Sequence, residues 1–326
     1  MPYDRSAFII RTPVEGVCFE TFANANQFVA DKLFDPKPVD NASTKVAQID
    51  ASKLRVYNDE KGTDSEPNLI DEQLFYRDVT LKEHKLGSEI NPRDERDAAA
   101  AGKKLLSESR KAQIITQGLL IAREAAAAAL ATNTSNYPSS LQTALSAGDR
   151  WDDNGDIEAQ MAVANLALRG SCGRNANALL VDIATYDKMR LGANLRERTK
   201  FTMATPVPDD IIKAYFGVQH LFVGAAQRNT AIEGLTPSVS GFWGRYAIAF
   251  VYDPGISMEK QSFGTMWWIN QPFRTDVFVD NKRTGPAGPM RRVQVATEYL
   301  LDPGIVESST SSKFAAGYLF STAVAA

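Results

Sequence analysis

The residues that decide the fold read REAAAAAL at positions 123–130, within a run from Asp94 to Ala131 that has no proline and only two glycines, Gly102 and Gly118. Alanine is the best helix former, and Leu, Lys, Arg, Glu and Gln supply much of the rest, so the run predicts one helix over 94–131. Its 38 residues would span about 57 Å at a rise of about 1.5 Å each. A compact globule of this chain length is roughly 50 Å across. We therefore expect the helix to lie along a thin, extended body.

The apolar side chains of this helix form a continuous but shallow stripe. They follow a three-four repeat that is interrupted once, at Glu108. An alanine-rich coiled-coil segment is one interpretation, although such seams hold helices together weakly. We favour a long helix that lies flat on a thin sheet, with neighbouring copies covering part of its surface. The stripe consists of Ala98, Ala101, Leu105, Ala112, Ile115, Leu119, Ala122 and Ala126.

Composition excludes several classes of protein. The 326 residues are 44% hydrophobic, which is normal for a folded chain, and the net charge of −3 lacks the basic surplus of a sequence-specific DNA reader. Cys18 and Cys172 cannot form a disulfide framework and have no zinc-ligand spacing. Neither chain end contains an apolar run long enough for a signal peptide or a membrane span, so we expect no membrane association. No metal or cofactor motif is present.

Residues 51–92 predict a charged two-stranded hairpin. The span 50–110 holds 14 acidic and 11 basic side chains. Strand-like residues in KLRVYNDEKGTDSEPN, from Lys53, lead to a turn-rich tip, and LFYRDVTLKEHKLG, from Leu74, resumes the strand pattern. Such a ribbon buries too little apolar surface to be stable alone, so it needs a surface from its own subunit or another.

After residue 156 the pattern becomes a compact mixture of helices and strands, of α+β type. We expect helices at 157–170, 183–201 and 208–218, the second of them interrupted, and a buried strand at 177–182. A long final strand from Arg291 has a charged start, which favours a partly exposed edge. Further strands are expected at 220–227, 246–252, 265–270 and 274–280.

The enzymatic alternative is a soluble cysteine-dependent enzyme. Cys172, in RGSCGRN, would be the nucleophile and His220, in HLFVGA, the base. The sequence does not bring these two residues together, and no nucleotide-binding or hydrolase motif accompanies them. We therefore expect no enzyme activity and assign no catalytic, cofactor-binding or metal-binding residue.

Three stretches carry a resemblance to a known family. They are NALLVDIATYDKMRLGANLRERTKFT at 177–202, IIKAYFGVQHLFVGAAQRNTA at 211–231 and FWGRYAIAFVYDP at 242–254. In this order, after an arm, a charged hairpin and a long helix, they resemble the major capsid proteins of tailed double-stranded DNA bacteriophages, which have the Hong Kong 97-like capsid fold. The resemblance implies an N-arm at 1–50, an E-loop hairpin at 51–92, a P-domain with its spine helix at 93–155 and a compact A-domain at 156–285. Residues 286–326 would be the returning P-domain strand and the C-terminal segment.

The resemblance also implies a function. The chain would be a structural coat protein that assembles as hexamers and pentamers into an icosahedral virion shell, formed in the host bacterial cytoplasm, around double-stranded DNA without sequence-specific binding. No scaffolding delta region precedes the arm, which implies a separate scaffolding protein or none. A portal and decoration proteins are further implied partners. An encapsulin-like compartment that encloses cargo is the alternative within the fold.

Charged side chains are the candidate intersubunit contacts. Arg196, Glu197 and Arg198 lie in the RER passage, where a solvated helix face is the alternative interpretation. Members of the family that cross-link use a hairpin lysine, but no motif here matches that chemistry residue by residue. The hairpin candidates are Lys53, Lys61, Asp64, Glu66, Arg77, Lys82 and Lys85.

Overall fold

The fold was analysed in a computed structural model of the whole chain. It describes residues 27–48, 60, 66, 75–91, 96, 108–152, 155–192, 195–197, 207–232, 234–254, 262–269, 274–285, 288–303 and 314–325. Within these residues the α-helices are α1 (Ala30–Leu33), α2 (Glu108–Ala131), α3 (Ile157–Cys172), α4 (Ile183–Leu191) and α5 (Asp209–Phe216). The strands are β1 (Phe34–Val39), β2 (Ser43–Gln48), β3 (Phe75–Thr80), β4 (Lys82–Ile90), β5 (Gln142–Ala144), β6 (Ala178–Asp182), β7 (His220–Gly224), β8 (Gln227–Asn229), β9 (Val239–Gly241), β10 (Ala247–Phe250), β11 (Gly264–Ile269), β12 (Arg274–Gly285), β13 (Gly288–Pro303) and β14 (Gly317–Ser321).

The first sheet is built around β13. One side of β13 pairs antiparallel with β4 from Arg291 to Tyr299, and the other side pairs with β12 and then β11. The edge position expected for this strand is therefore wrong: β13 is central. Val293 and Val295 are fully buried, and the charged start is accommodated because Arg292 pairs with Glu89 of β4 at 2.6 Å.

The first sheet ends at β1, which pairs in parallel with β11. This strand reads FDPKPV and places Pro36 and Pro38 two residues apart. Proline has no N–H to give to a ladder, so within sheets it is confined to edges and bulges. The sequence of β1 thus suits a strand that has a partner on one side.

The helix α2 lies on the face formed by β4 and β13. Its 24 residues span about 36 Å, so the expected long helix on a thin sheet is confirmed over this part. Arg96 is helical, and residues 97–107 of the predicted helix are outside the described residues. Ala112, Ile115 and Leu119 are buried as predicted.

The predicted stripe is wrong toward the end of α2. Ala122 and Ala126 are exposed, whereas Arg123 and Glu124 are buried. Arg123 and Glu124 can be buried on this face of α2 because side chains and amides from other parts of the chain bind them.

The second sheet has the order β5-β14-β10-β6-β7. The interior strands β10 and β6 are buried at every residue, as expected for β6. The helices α3, α4 and α5 confirm the three helices expected in this part of the chain, and α4 is interrupted after Leu191, with residues 195–197 helical again. The strand β14, in the 286–326 segment, is an addition that sequence analysis did not predict. It lies between β5 and β10.

A separate two-stranded ribbon is formed by β2 and β3, in register from Ser43 with Thr80 to Gln48 with Phe75. A charged ribbon was expected, but its first strand begins inside the range assigned to the arm. The second half of the expected hairpin divides at Leu81, because β4 leaves the ribbon to join β13. Between the two strands of the ribbon, only Glu60 and Glu66 are among the described residues.

An aromatic cluster joins the two sheets. Phe263 and Phe314 stack at 4.2 Å between ring centroids, and Phe34 and Phe250 meet Phe263 edge-on at 5.9 and 5.5 Å. Gly317 of β14 makes this packing possible, since an added Cβ would overlap the ring of Phe263.

Gly317→Ala should therefore destabilise the subunit. Overpacking a core typically costs about 1–3 kcal/mol, to be measured by denaturant unfolding of the unassembled chain. Gly148→Ala is the matched control, since an added Cβ there meets nothing within 4 Å. Equal midpoints for the two variants would contradict the close packing at Gly317.

Candidate functional site: a buried carboxylate junction and exposed apolar surfaces

The carboxylate of Glu124 is a buried charge with hydrogen-bond partners from two other parts of the chain. Its side chain is fully buried in α2. It accepts the amide N–H of Ala30 at 2.9 Å and the indole N–H of Trp243 at 2.8 Å. The amide of Val29 lies 3.2 Å from each carboxylate oxygen. Three distant parts of the chain, namely the start of α1, the long helix α2 and the turn before β10, thus meet at one side chain.

The local sequence explains why the amides at the start of α1 need an acceptor such as Glu124, and what positions Trp243. Val29 and Ala30 begin α1, and the first N–H groups of a helix have no partner within it. Val29 occupies the N-cap position and offers no side-chain acceptor. Trp243 packs directly on Gly224, where an added Cβ would overlap the indole ring.

An ion pair stands beside the carboxylate. The guanidinium of Arg123 binds the carboxylate of Asp31, in α1, at 2.9 Å. The side chain of Arg123 is 9% exposed and that of Asp31 is 25% exposed, so water screens this pair less than a surface pair. Consecutive residues of α2 therefore hold α1 through a charge pair and through amide hydrogen bonds.

Burial raises the pKa of Glu124, while hydrogen bonds from Ala30, Trp243 and Val29 lower this pKa in part and nearby Asp31 raises it. A carboxyl whose pKa is raised on folding binds its proton more tightly in the folded state than in the unfolded state. Its contribution to stability is fully present below the unfolded pKa, near 4.5, and is lost as the pH rises through the folded value.

Glu124→Gln tests this linkage. At pH 7 we expect a loss of about 1–3 kcal/mol, because the amide NH₂ faces donors and leaves one of them unsatisfied. The gap in unfolding free energy between wild type and variant should widen as the pH falls from 7 toward 4.5, since only wild type gains the proton. Denaturant unfolding at several pH values measures the gap, and a gap that stays constant would show that the pKa of Glu124 is not raised.

A second two-stranded ribbon, formed by β8 and β9, presents aliphatic side chains to solvent. We call these two strands, together with Ile232 and Leu235 between them, the ribbon. The strands β8 and β9 pair, and the side-chain oxygen of Asn229 accepts the amides of Ala231 and Ser238 at 3.0 and 2.9 Å. At its base, Gly241 fits against the carboxylate of Asp182. Although its backbone is fixed in this way, the ribbon leaves three side chains largely exposed: Ile232 77%, Leu235 66% and Val239 60%.

The outer face of α3 is also apolar. Val163 is 58% and Leu166 is 71% exposed, with the small exposed residues Ala159, Ala162 and Gly170 beside them. The opposite face is core and contains Ile157, Met161, Ala164, Leu168 and Cys172.

A third exposed apolar surface lies where α2 meets β4. Ile114 and Ile121 are partly exposed on the helix, and Leu86 is partly exposed on the strand. Gly118 lies between the two isoleucines, and the Cδ1 of Leu86 is 3.2 Å from where a Cβ of Gly118 would be. We call Leu86, Ile114 and Ile121 the spine patch.

By length and composition alone, Ser109–Ala131 would be able to cross a membrane. Half of its apolar window is buried against the rest of the chain, and Glu124 lies in the buried part. The first sheet thus covers the face of α2 that would otherwise contact lipid.

The structure does not bring the charged candidates from sequence analysis into one cluster. Lys82 and Lys85 are exposed on β4 of the first sheet, Glu66 is exposed, and Arg77 lies on β3 opposite Val46. Arg196 and Glu197 are exposed in the helical stretch after α4. These six remain predicted contacts. Lys53, Lys61, Asp64 and Arg198 lie outside the described residues.

The environment of Cys172 is that of a structural thiol. It is buried at the end of α3, and its Sγ donates to the carbonyl of Arg174 at 3.8 Å. Burial raises the pKa of the thiol, whereas a nucleophilic cysteine needs a lowered pKa. His220 is exposed at the start of β7 and packs against Phe222 and Tyr252. In the part of the chain that is described, no group of three or more His, Cys, Asp or Glu side chains is arranged to hold a metal.

Known proteins resemble this chain in sequence and in fold. No family model matches the sequence. The major capsid protein of Burkholderia phage BcepMu is 26% identical over 207 residues, which is 63% of this chain and 66%, just under two thirds, of that protein. The crystal structure of a phage-related protein from Bordetella bronchiseptica RB50 has a TM-score of 0.70 at 22% identity, with 94% of this chain and 96% of that chain covered. The capsid structure of cyanophage P-SCSP1u has a TM-score of 0.51 at 9% identity over 90% of this chain and 88% of that chain.

Proposed function

We propose that this chain, which has the Hong Kong 97-like capsid fold expected from its sequence, is the major capsid protein of a tailed bacteriophage. The observation that carries the proposal is the relative named as a major capsid protein, whose likeness runs through most of this chain. The likeness to the capsid structure of the cyanophage shows the fold and agrees with this function.

The architecture suits a subunit of a shell wall. The first sheet is covered on one face by α2, and its other face carries exposed ion pairs such as Arg292 with Glu89 and Arg274 with Glu83. Single exposed pairs contribute little, about 0–1 kcal/mol. The exposed aliphatic side chains of the ribbon, of α3 and of the spine patch are the stronger source of association energy, because burial of apolar surface drives most protein–protein binding.

In this proposal many copies form hexamers and pentamers that close into an icosahedral shell around double-stranded DNA in the virion, after assembly in the host cytoplasm. The net charge of −3 favours containment over tight binding, since phosphate contacts require a basic surplus. A scaffolding protein, a portal and decoration proteins would be supplied by other chains. The protein has no enzymatic role in this proposal.

The first experiment is size-exclusion chromatography and negative-stain electron microscopy of the recombinant chain at several salt and protein concentrations. We expect shells, tubes or capsomer-sized rings. Nuclease-protected DNA in phage-derived particles would support a genome container, whereas particles that hold only a protein cargo would favour the encapsulin-like alternative. A monomer or dimer under every condition, with the other head proteins co-expressed, would contradict the proposal.

The spine patch predicts a separation of folding from assembly. Ile114→Glu should leave the circular dichroism and unfolding midpoint close to wild type, because the side chain is half exposed. It should raise the protein concentration needed for assembly by roughly tenfold or more, since an unpaired charge is costly to bury. Gln113→Glu adds the same charge at the adjacent exposed position and is the matched control. Equal assembly by the two variants would remove this patch from the interface.

A further inference from the structure

We infer that the ribbon of one copy, through Ile232, Leu235 and Val239, packs on the outer face of α3 of a second copy, through Val163 and Leu166, and that this head-to-tail contact closes the capsomer ring. This inference rests on the proposed function. It deepens that function by naming the two surfaces that meet and the chain that supplies each one.

The first argument is that both surfaces are fixed in shape yet uncovered. The ribbon is held by the Asn229 side chain, by the Thr230 amide on the carbonyl of Ser238 at 2.8 Å and by the Leu235 amide on the carbonyl of Ile232 at 3.1 Å. A pre-organised surface loses little conformational entropy on binding. Contiguous exposed apolar side chains on a fixed backbone are typical of interaction sites.

The second argument is that the two surfaces belong to different elements of one unit and do not cover each other. The ribbon follows β7, which is an edge strand of the second sheet, whereas α3 packs on β14 and α5. One chain therefore presents both surfaces without covering either of them. Two different complementary surfaces on one subunit produce a heterologous contact, which generates a ring when the rotation closes.

The third argument is complementarity of shape and charge. The ribbon presents branched aliphatic side chains, and α3 offers Ala159, Ala162 and Gly170 as shallow positions beside its two larger residues. The ribbon carries Arg228, exposed, with its guanidinium 5.4 Å from the ring of Phe242. The exposed acids Asp156 and Glu158 lie at the start of α3 and exposed Arg169 lies near its end, so the charges favour a contact in which Arg228 faces the start of the helix. Opposite charges on two surfaces set the orientation in which they meet.

Paired cysteines test the contact directly. In a Cys18→Ser background, with buried Cys172 retained, Leu166→Cys and Leu235→Cys are combined, and a second pair combines Val163→Cys with Ile232→Cys. The assembled protein is treated with a short bismaleimide and run on a denaturing gel. We expect a ladder that ends at the pentamer or hexamer, because each subunit would be linked to the next around the ring.

The single-cysteine variants are the controls and should remain monomers on the gel. A dimer from Leu166→Cys alone would mean that α3 pairs with itself, and this result would overturn the inference. Shells or rings on the microscope grid with no ladder from either pair would overturn it as well, while leaving the proposed function standing. If the cysteine variants fail to assemble, amide hydrogen exchange is measured on the wild-type protein before and after assembly. Amides of the ribbon and of α3 that are no better protected after assembly would contradict the contact.

Discussion

The subunit depends on one buried carboxylate that faces donors from two distant segments. The long helix α2 supplies Glu124, the start of α1 supplies the amides of Val29 and Ala30, and the turn before β10 supplies the indole of Trp243. A charge removed from water is tolerated only when hydrogen bonds replace its solvation. The burial of Glu124 in α2 is therefore coupled to the positions of both α1 and the turn before β10. The partners of Glu124 thus fix the geometry from which every other surface of the subunit is presented.

The apolar residues of the subunit fall into two sets, one buried in the core and one exposed on the surface. The aromatic cluster around Phe263 and the strands β6 and β10 hold the subunit together and are buried at once on folding. The ribbon, the outer face of α3 and the spine patch are exposed in the single chain, and the proposed assembly would bury them. Because these sets share no residues, folding and the proposed assembly should respond to different substitutions.

The sequence pattern was sufficient to predict where most helices and strands lie, but not which residues they pair with in the folded chain. Periodicity located α3, α5 and the buried strand β6, and the order of parts predicted the capsid fold. The sequence pattern wrongly placed β13 at an edge of its sheet. The charged start of this strand does not reveal that Glu89 of a neighbouring strand pairs with Arg292. The pattern also missed the burial of Glu124 because the amide of Val29 lies 95 positions away in the chain. A clue was present, since REAAAAAL begins with the only charged residues between Ser109 and Ala131 apart from Arg110 and Lys111.

The prolines of β1 have a consequence for a protein made in many copies at high concentration. An open strand edge invites edge-to-edge pairing, which leads to fibres and aggregates. In the part of the chain that is described, β1 has β11 on one side and no strand on the other, and Pro36 and Pro38 each remove a donor from its ladder. Under the proposed function, the FDPKPV sequence disfavours pairing of newly made chains through this sheet edge, which leaves subunits available for closed particles.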